Sequence, residues 1–434
     1  MDKLEVTGGV PLAGRVRVSG AKNAALPLMA ASILADGPLT LANVPRLGDL
    51  RTMGRLLRHM GGQADLHPPG PDGALAEEAR LDLRSLTRPE APHELVKTMR
   101  ASALVLGPLL ARHGQARVSL PGGCAIGVRP IDLHLKALAL MGAEFDLTGG
   151  DVVGRAPAGG LRGAEIRFET VTVTGTENVM MAAVLARGRT VIANAAREPE
   201  VTDTALALQA MGARIAGLDT DELVIDGVDH LSGAAYRVMP DRIEAGTLLA
   251  AVALCGGRAV LLDAPCEEIA AARSKFAAAG VKLERAVVGG QEALTVESPG
   301  GRELKALDVV TSPHPGFPTD MQAQFMALAT VARGVSLITE TIFENRFMHV
   351  SELRRLGADI DLQGRTAVVK GVDRLRGAPL TASDLRASAS LLLAALAAEG
   401  RSDLFRVYHL DRGYDRLDEK LNALGARIAR VKDA

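Results

Sequence analysis

The chain has 434 residues, longer than one hydrophobic core usually supports, so it either divides into domains or is assembled from repeated parts. Fifty Lys and Arg against fifty-one Asp and Glu leave a formal net charge of −1, and there is no Trp and only 3% aromatic residues. Nucleic-acid binding loses both its electrostatic attraction and its stacking surfaces, and the three cysteines, Cys124, Cys255 and Cys266, form no CxxC pair that would suggest a zinc site or a disulfide framework.

The N-terminus has no basic segment followed by an apolar core, which predicts a cytoplasmic protein. Residues 4–18 read as one opening strand, with glycines at 8, 9 and 14, and are expected to complete a sheet elsewhere in the chain. From there the same elements recur six times. Ala/Leu/Met-rich helices over 22–37, 98–114, 177–188, 242–257, 321–334 and 385–400 each read as ending on a C′ glycine. Runs of β-branched residues beginning at Leu39, Arg117, Thr190, Ala259, Val335 and Asp403 predict strands. A more polar helix then ends in a Met/Leu/Ala-Gly signature, whose glycines are Gly61, Gly142, Gly212, Gly280, Gly357 and Gly425. Their spacings of 81, 70, 68, 77 and 68 residues are too regular for chance and too long for a solenoid, so each unit is a small α+β module.

The first helix of each module is apolar nearly all round, as over 387–398, which predicts a helix enclosed by other structure. That stretch is also shorter than a membrane span. The second helix, as over 415–424, has one apolar stripe and is expected to face water. Six modules therefore predict three around each of two cores, with residues 232–239 as the junction.

Helix beginnings favour anions, because their backbone N–H groups are unpaired and the helix dipole is positive there. At or just before them stand Lys22, Asn23, Arg100, Thr174, Asp241, Arg242, Asp320, Asp384 and Arg386, and the loops after the following strands add Arg46, Arg129, Arg197, Arg346 and Arg412. Their shared phase points to a basic, phosphate-seeking site hidden by the neutral total. Cys124 lies in a Gly-rich loop near Arg129, where a cation lowers a thiol's pKa. Asp320 follows the stiff segment Thr311-Ser-Pro-His-Pro-Gly-Phe-Pro-Thr and reads either as a helix cap or as a general base. His134 reads as packing or as a ligand contact. No GxGxxG follows a strand, and neither GxxxxGK[ST] nor HExxH occurs.

Five segments carry a resemblance: Ser19-Gly-Ala-Lys-Asn-Ala-Ala-Leu-Pro, Pro121-Gly-Gly-Cys-Ala-Ile-Gly-Val-Arg-Pro-Ile-Asp-Leu-His, Phe317-Pro-Thr-Asp-Met-Gln-Ala-Gln, Phe343-Glu-Asn-Arg-Phe-Met-His, and Ser383-Asp-Leu-Arg-Ala with Asp411-Arg-Gly-Tyr. In this order they resemble the enolpyruvyl transferases, and among them the UDP-N-acetylglucosamine 1-carboxyvinyltransferases, over nearly the whole chain. The resemblance implies a two-domain inside-out α/β barrel of six repeated modules. The first domain would span 22–237, the second 1–21 plus 238–434, with the active site in the cleft between them.

It further implies transfer of enolpyruvyl from phosphoenolpyruvate to the 3′-hydroxyl of UDP-N-acetylglucosamine through a tetrahedral ketal, with no metal or organic cofactor and no obligate protein partner. Lys22, Arg129 and Arg412 would bind phosphoenolpyruvate, with Arg346 and Arg386 beside them. Asn23, Arg100, Arg129, Pro130, Ile131, Asp132, Leu133 and Ile342 would hold the UDP-sugar. Cys124 would be the acid for C3 and the target of fosfomycin, and Asp320 would take the sugar hydroxyl proton. Around Val173-Thr174-Gly175 the chain departs from the Ser-Val-Gly form of some family members, which leaves the uridine contacts there open. The alternatives are the sister enzyme acting on shikimate 3-phosphate, and a catalytically silent UDP-sugar-binding homologue.

Overall fold

The computed structural model describes residues 2–69, 75–97, 99–120 and 131–432, and of Arg100 only the backbone. These residues divide into two compact units, one formed by 2–19 and 240–432 and the other by the described residues of 20–239. Each unit holds three four-stranded sheets.

One module shows how the sequence makes the fold. The short strand Glu165–Arg167 leads into the helix Val173–Ala183, which returns the chain to Arg189–Ala193, parallel to the first strand. The second helix, Pro199–Ala210, crosses to the hairpin Arg214–Ala216 and Glu222–Asp226, whose second arm lies antiparallel to Arg189–Ala193. Burial alternates along Glu222–Asp226, with Leu223 and Ile225 inside, as a strand with one wet face requires. The first helix has no wet face. In Leu385–Ala397 every residue from Arg386 to Leu396 is buried, and alanine and serine let neighbouring helices approach closely.

The second helices all stop in the same way. At each signature glycine φ lies between 94° and 110°, a conformation that side-chain-bearing residues rarely adopt. The glycine N–H donates to the carbonyl three residues back and the next N–H to the carbonyl five residues back, as in Gly212 N to Gln209 O and Ala213 N to Leu208 O. This is the Schellman arrangement, and it occurs six times. The residue before each glycine, from Met60 to Leu424, is buried. The signature is thus a helix stop combined with a core anchor.

Several expectations are corrected. Residues 4–18 are not one strand but two, Asp2–Thr7 and Leu12–Arg17. Asp2–Thr7 lies between Arg401–Phe405 and Arg427–Lys432, while Leu12–Arg17 pairs parallel with Gly257–Leu262. Residues 232–239 are not merely a junction. Ala234–Arg237 is a strand that pairs parallel with Leu39–Ala42 and completes the first sheet of the 20–239 unit. Of the glycines expected to cap the first helices, Gly114 does so with φ 69°, and Gly256, not Gly257, follows Arg242–Cys255. The helices before Gly188, Gly334 and Gly400 end several residues earlier, at Ala183, Ala329 and Ala397, so these glycines form the turn into the strand. The third helix begins at Val173 rather than at 177, because Thr172 caps it by accepting from Gly175 N at 3.2 Å. Among the described residues no helix is long and apolar enough to cross a membrane.

Candidate active site

In the unit containing residues 240–432, Asp320 stands in a short 3-10 turn, Thr319–Met321, ahead of the helix Gln322–Ala329. Among the described residues it makes no capping bond, which removes the cap reading. Its Oδ1 accepts from Arg346 Nη2 at 2.5 Å and its Oδ2 from Arg386 Nη2 at 2.8 Å. Both arginine side chains are more than nine-tenths buried, while that of Asp320 is 26% exposed. Burial pushes the Asp320 carboxyl up, but the Arg386 and Arg346 guanidiniums outweigh that and hold it well below the ordinary carboxylate value. Asp320 is therefore an ionised carboxylate that reaches solvent from between two buried cations.

Each cation has its own support. Arg386 Nη2 faces Asp320, and its guanidinium lies 5.3 Å from the Tyr414 ring centroid. Tyr414 Oη lies 3.1 Å from Thr247 Oγ1, and Gln324 Nε2 donates to Tyr414 Oη at 3.2 Å and to Thr247 Oγ1 at 3.1 Å. This buried polar knot links the helices Arg242–Cys255 and Gln322–Ala329, and Arg386 on Leu385–Ala397 meets it through the Tyr414 ring. Arg412 ends the 3-10 helix Val407–Arg412, and the next residue, Gly413, packs so tightly that a Cβ would lie 2.4 Å from Leu385. Asp384 caps Leu385–Ala397 and Asp241 caps Arg242–Cys255, so these two acids serve their helices. His349 is buried near Asp384 and Arg346, and burial lowers its pKa to about 4 despite Asp384.

In the 20–239 unit, Lys22 opens the helix Lys22–Ala31 and pairs with Asp49 at 2.6 Å; Asn23 beside it is exposed. Gly20 precedes them because its α-carbon passes the Asn43 carbonyl so closely that a Cβ would lie 1.7 Å from the oxygen. Ile131 and Leu133 are half-buried and Asp132 is exposed, all at the start of the helix Asp132–Leu140. His134 is buried in a determined network. Asn178 Oδ1 accepts from Gly107 N at 2.6 Å and its Nδ2 donates to Ala103 O at 2.9 Å, so the amide can only donate to His134 Nδ1, also at 2.9 Å. The imidazole then carries its proton on Nε2, which faces Thr174 Oγ1 at 3.3 Å. Burial lowers the pKa of His134 to about 4, outweighing Asp132, so the ring is neutral.

Arg46 and Arg197, expected among the phosphate-seeking cations, donate to the backbone carbonyls of Leu75 and Asp219. Cys124, Arg129 and Pro130 lie outside the described residues, and Arg100 begins the 3-10 helix Arg100–Val105. Cys255 and Cys266 have thiols that burial pushes up to about 12 and about 11, which fits packing roles. Sequence reasoning did not single out Thr319, Glu340, His349, Tyr414 or Asn178. Thr319, His349 and Tyr414 stood inside quoted motifs, whereas Glu340 and Asn178 gave no signal at all.

Residues 6–421 match the protein family described as EPSP synthase (3-phosphoshikimate 1-carboxyvinyltransferase). The chain belongs to this family of enolpyruvyl transferases. It is 57% identical over 432 residues to a UDP-N-acetylglucosamine 1-carboxyvinyltransferase of Anaeromyxobacter sp. (strain Fw109-5), with 100% of both chains covered. A protein of the same name from Nitratidesulfovibrio vulgaris (strain DSM 19637 / Miyazaki F) is 55% identical over 433 residues, again with 100% of each chain covered. Among solved structures, the enolpyruvyl transferase NikO from Streptomyces tendae superposes with a TM-score of 0.87 at 27% identity, covering 100% of this chain and 99% of the other. EPSP synthase from Acinetobacter baumannii gives a TM-score of 0.75 at 18% identity over 100% of both chains, a likeness of fold alone. The six modules are thus those of the enolpyruvyl transferase fold.

Proposed function

We propose that this enolpyruvyl transferase moves the enolpyruvyl group of phosphoenolpyruvate to the 3′-hydroxyl of UDP-N-acetylglucosamine, releasing phosphate. The observation that carries this reading is the 57% identity across the full length of a relative bearing that activity's name, against 18% for the solved EPSP synthase of the same fold. In this reading the protein works in the cytoplasm, at the first committed step of peptidoglycan synthesis.

The reaction needs an acid and a base at one site. The sugar hydroxyl adds to C2 of the enol phosphate while C3 takes a proton, giving a tetrahedral ketal. Loss of a C3 proton then regenerates the double bond as the C2–O bond to phosphate breaks. Asp320 is suited to the hydroxyl because it is ionised and reaches solvent, as a base must be. Its arginines make it a weak base at rest. An arriving phosphate or carboxylate would draw on the same guanidiniums and make Asp320 more basic when both substrates are bound.

We assign Lys22, Arg129 and Arg412 to phosphoenolpyruvate, with Arg346 and Arg386 adjoining. Asn23, Arg100, Pro130, Ile131, Asp132, Leu133 and Ile342, with Arg129, are assigned to the UDP-sugar. Cys124 is assigned as the C3 acid and as the thiol that fosfomycin alkylates.

The test is inorganic phosphate release by the purified protein. Release is expected only when phosphoenolpyruvate and UDP-N-acetylglucosamine are both present. Equal turnover with shikimate 3-phosphate would give the reaction to the sister class, and binding of the nucleotide sugar without any turnover would make the chain a silent homologue.

A further inference from the structure

We propose that Glu340 is a positioning residue for this reaction, a buried carboxylate that aims Arg346 and Asp320 through the hydroxyl of Thr319 while fixing the backbone at Ile342. The inference rests on the function proposed above and extends it to a residue that touches no substrate.

Glu340 follows the strand Val335–Thr339 and is completely buried, yet among the described residues no lysine or arginine pairs with it. Four neutral donors surround it instead. Its Oε1 accepts from Thr311 Oγ1 at 3.0 Å, Ile342 N at 2.8 Å and Phe343 N at 3.1 Å, and its Oε2 accepts from Thr319 Oγ1 at 2.8 Å. The two backbone bonds alone would make Glu340 a turn cap. The second oxygen does more, because it reaches a residue 21 positions away, beside Asp320.

The direction of that link is determined. Arg346 Nη1 donates to Thr319 Oγ1 at 2.8 Å, and a guanidinium cannot accept, so the hydroxyl proton of Thr319 must point at Glu340. The chain therefore runs from Arg346 through Thr319 to Glu340, while the other arm of Arg346 holds Asp320. One guanidinium is shared between two carboxylates, one in direct contact and one a hydroxyl away. Removing the Glu340 charge frees one arm of Arg346, reorients Thr319 and leaves more of the cation's field on Asp320.

The experiment compares Glu340→Gln, Thr319→Val, Thr319→Ser and the double variant Glu340→Gln/Thr319→Val in the full-length protein. Each is measured for kcat, for KM toward both substrates and for its unfolding midpoint. The Gln side chain keeps an oxygen for Ile342 N and Phe343 N but faces Thr319 with N–H groups. Glu340→Gln and Thr319→Val are each expected to lower kcat by roughly 10- to 100-fold, the scale of a small misplacement of reacting groups. The double variant should be no worse than the poorer single one, because both cut the same link. Thr319→Ser, which keeps the hydroxyl, should stay within about threefold of the unaltered chain.

Losses that multiply in the double variant, or midpoints that fall while kcat holds, would overturn the role of Glu340 and leave the function standing. Absence of phosphate release from the unaltered protein would instead overturn the function itself, and this proposal with it. Should Glu340→Gln not fold, the contrast between Thr319→Val and Thr319→Ser still decides the matter.

Discussion

A buried histidine is an uncommon choice for a position that only needs filling, and His134 shows how the choice becomes a constraint. Asn178 can present only its NH2 group to the ring, so the imidazole is neutral and its tautomer determined. An unfolded histidine titrates near pH 6.5, whereas this one is lowered to about 4 by burial. Between those values the unfolded chain binds a proton that the folded one refuses. The stabilisation is therefore complete above pH 6.5 and is lost as pH falls toward 4, by up to about 3 kcal/mol for one such group. Denaturant midpoints at pH 7, 5 and 4 should fall steeply for the unaltered protein and less steeply for His134→Gln. An unchanged slope in the variant would mean that His134 does not titrate on unfolding. The residue scale also marks where reading the sequence ends. Cations in phase at helix starts are visible, but Arg346 and Arg386 reach Asp320 across 26 and 66 residues, and nothing local announces that they share one carboxylate.

The six helix stops were legible because a Schellman turn is a local event. Only glycine adopts its φ without strain, and only an apolar residue suits the buried position before it, so two adjacent residues report both the element's end and its inner face. Gly212 tests this in isolation. Its φ is 110°, and a methyl group added there would meet nothing within 4 Å, so any effect of substitution comes from the backbone alone. Gly212→Ala should cost about 1–2 kcal/mol, read as a lower denaturant midpoint at unchanged slope. A neutral substitution would show that the turn relaxes freely. The first helices were harder to end. Gly188, Gly334 and Gly400 lie after the last helical turn, and an all-apolar run carries no periodicity to show where the helix gives way to the turn.

For the whole molecule, the chain's beginning belongs with its end. Leu4, Val6, Leu12, Val16 and Val18 are buried in the core of the unit made by residues 240–432. Five such side chains contribute about 10 kcal/mol, comparable to the net stability of a whole domain. The other unit draws all three of its sheets from residues 39–237. A fragment of residues 20–239 should therefore unfold cooperatively by circular dichroism, and a fragment of residues 240–434 should not. Cooperative unfolding of the second fragment would show that Asp2–Thr7 and Leu12–Arg17 are dispensable to its sheets.

By itself the sequence determined what is periodic or local: six α+β modules, their apolar first helices, their glycine stops, and the motifs that carry the family. Only the tertiary structure decided which strands close which sheet, whether Asp320 caps its helix or faces two arginines, and that Glu340 stands behind them. The reason is one of distance along the chain. A helix and its stop are specified by residues within a few positions of one another, whereas a strand's partner or a carboxylate's cation is selected in space, by packing that joins residues tens to hundreds of positions apart.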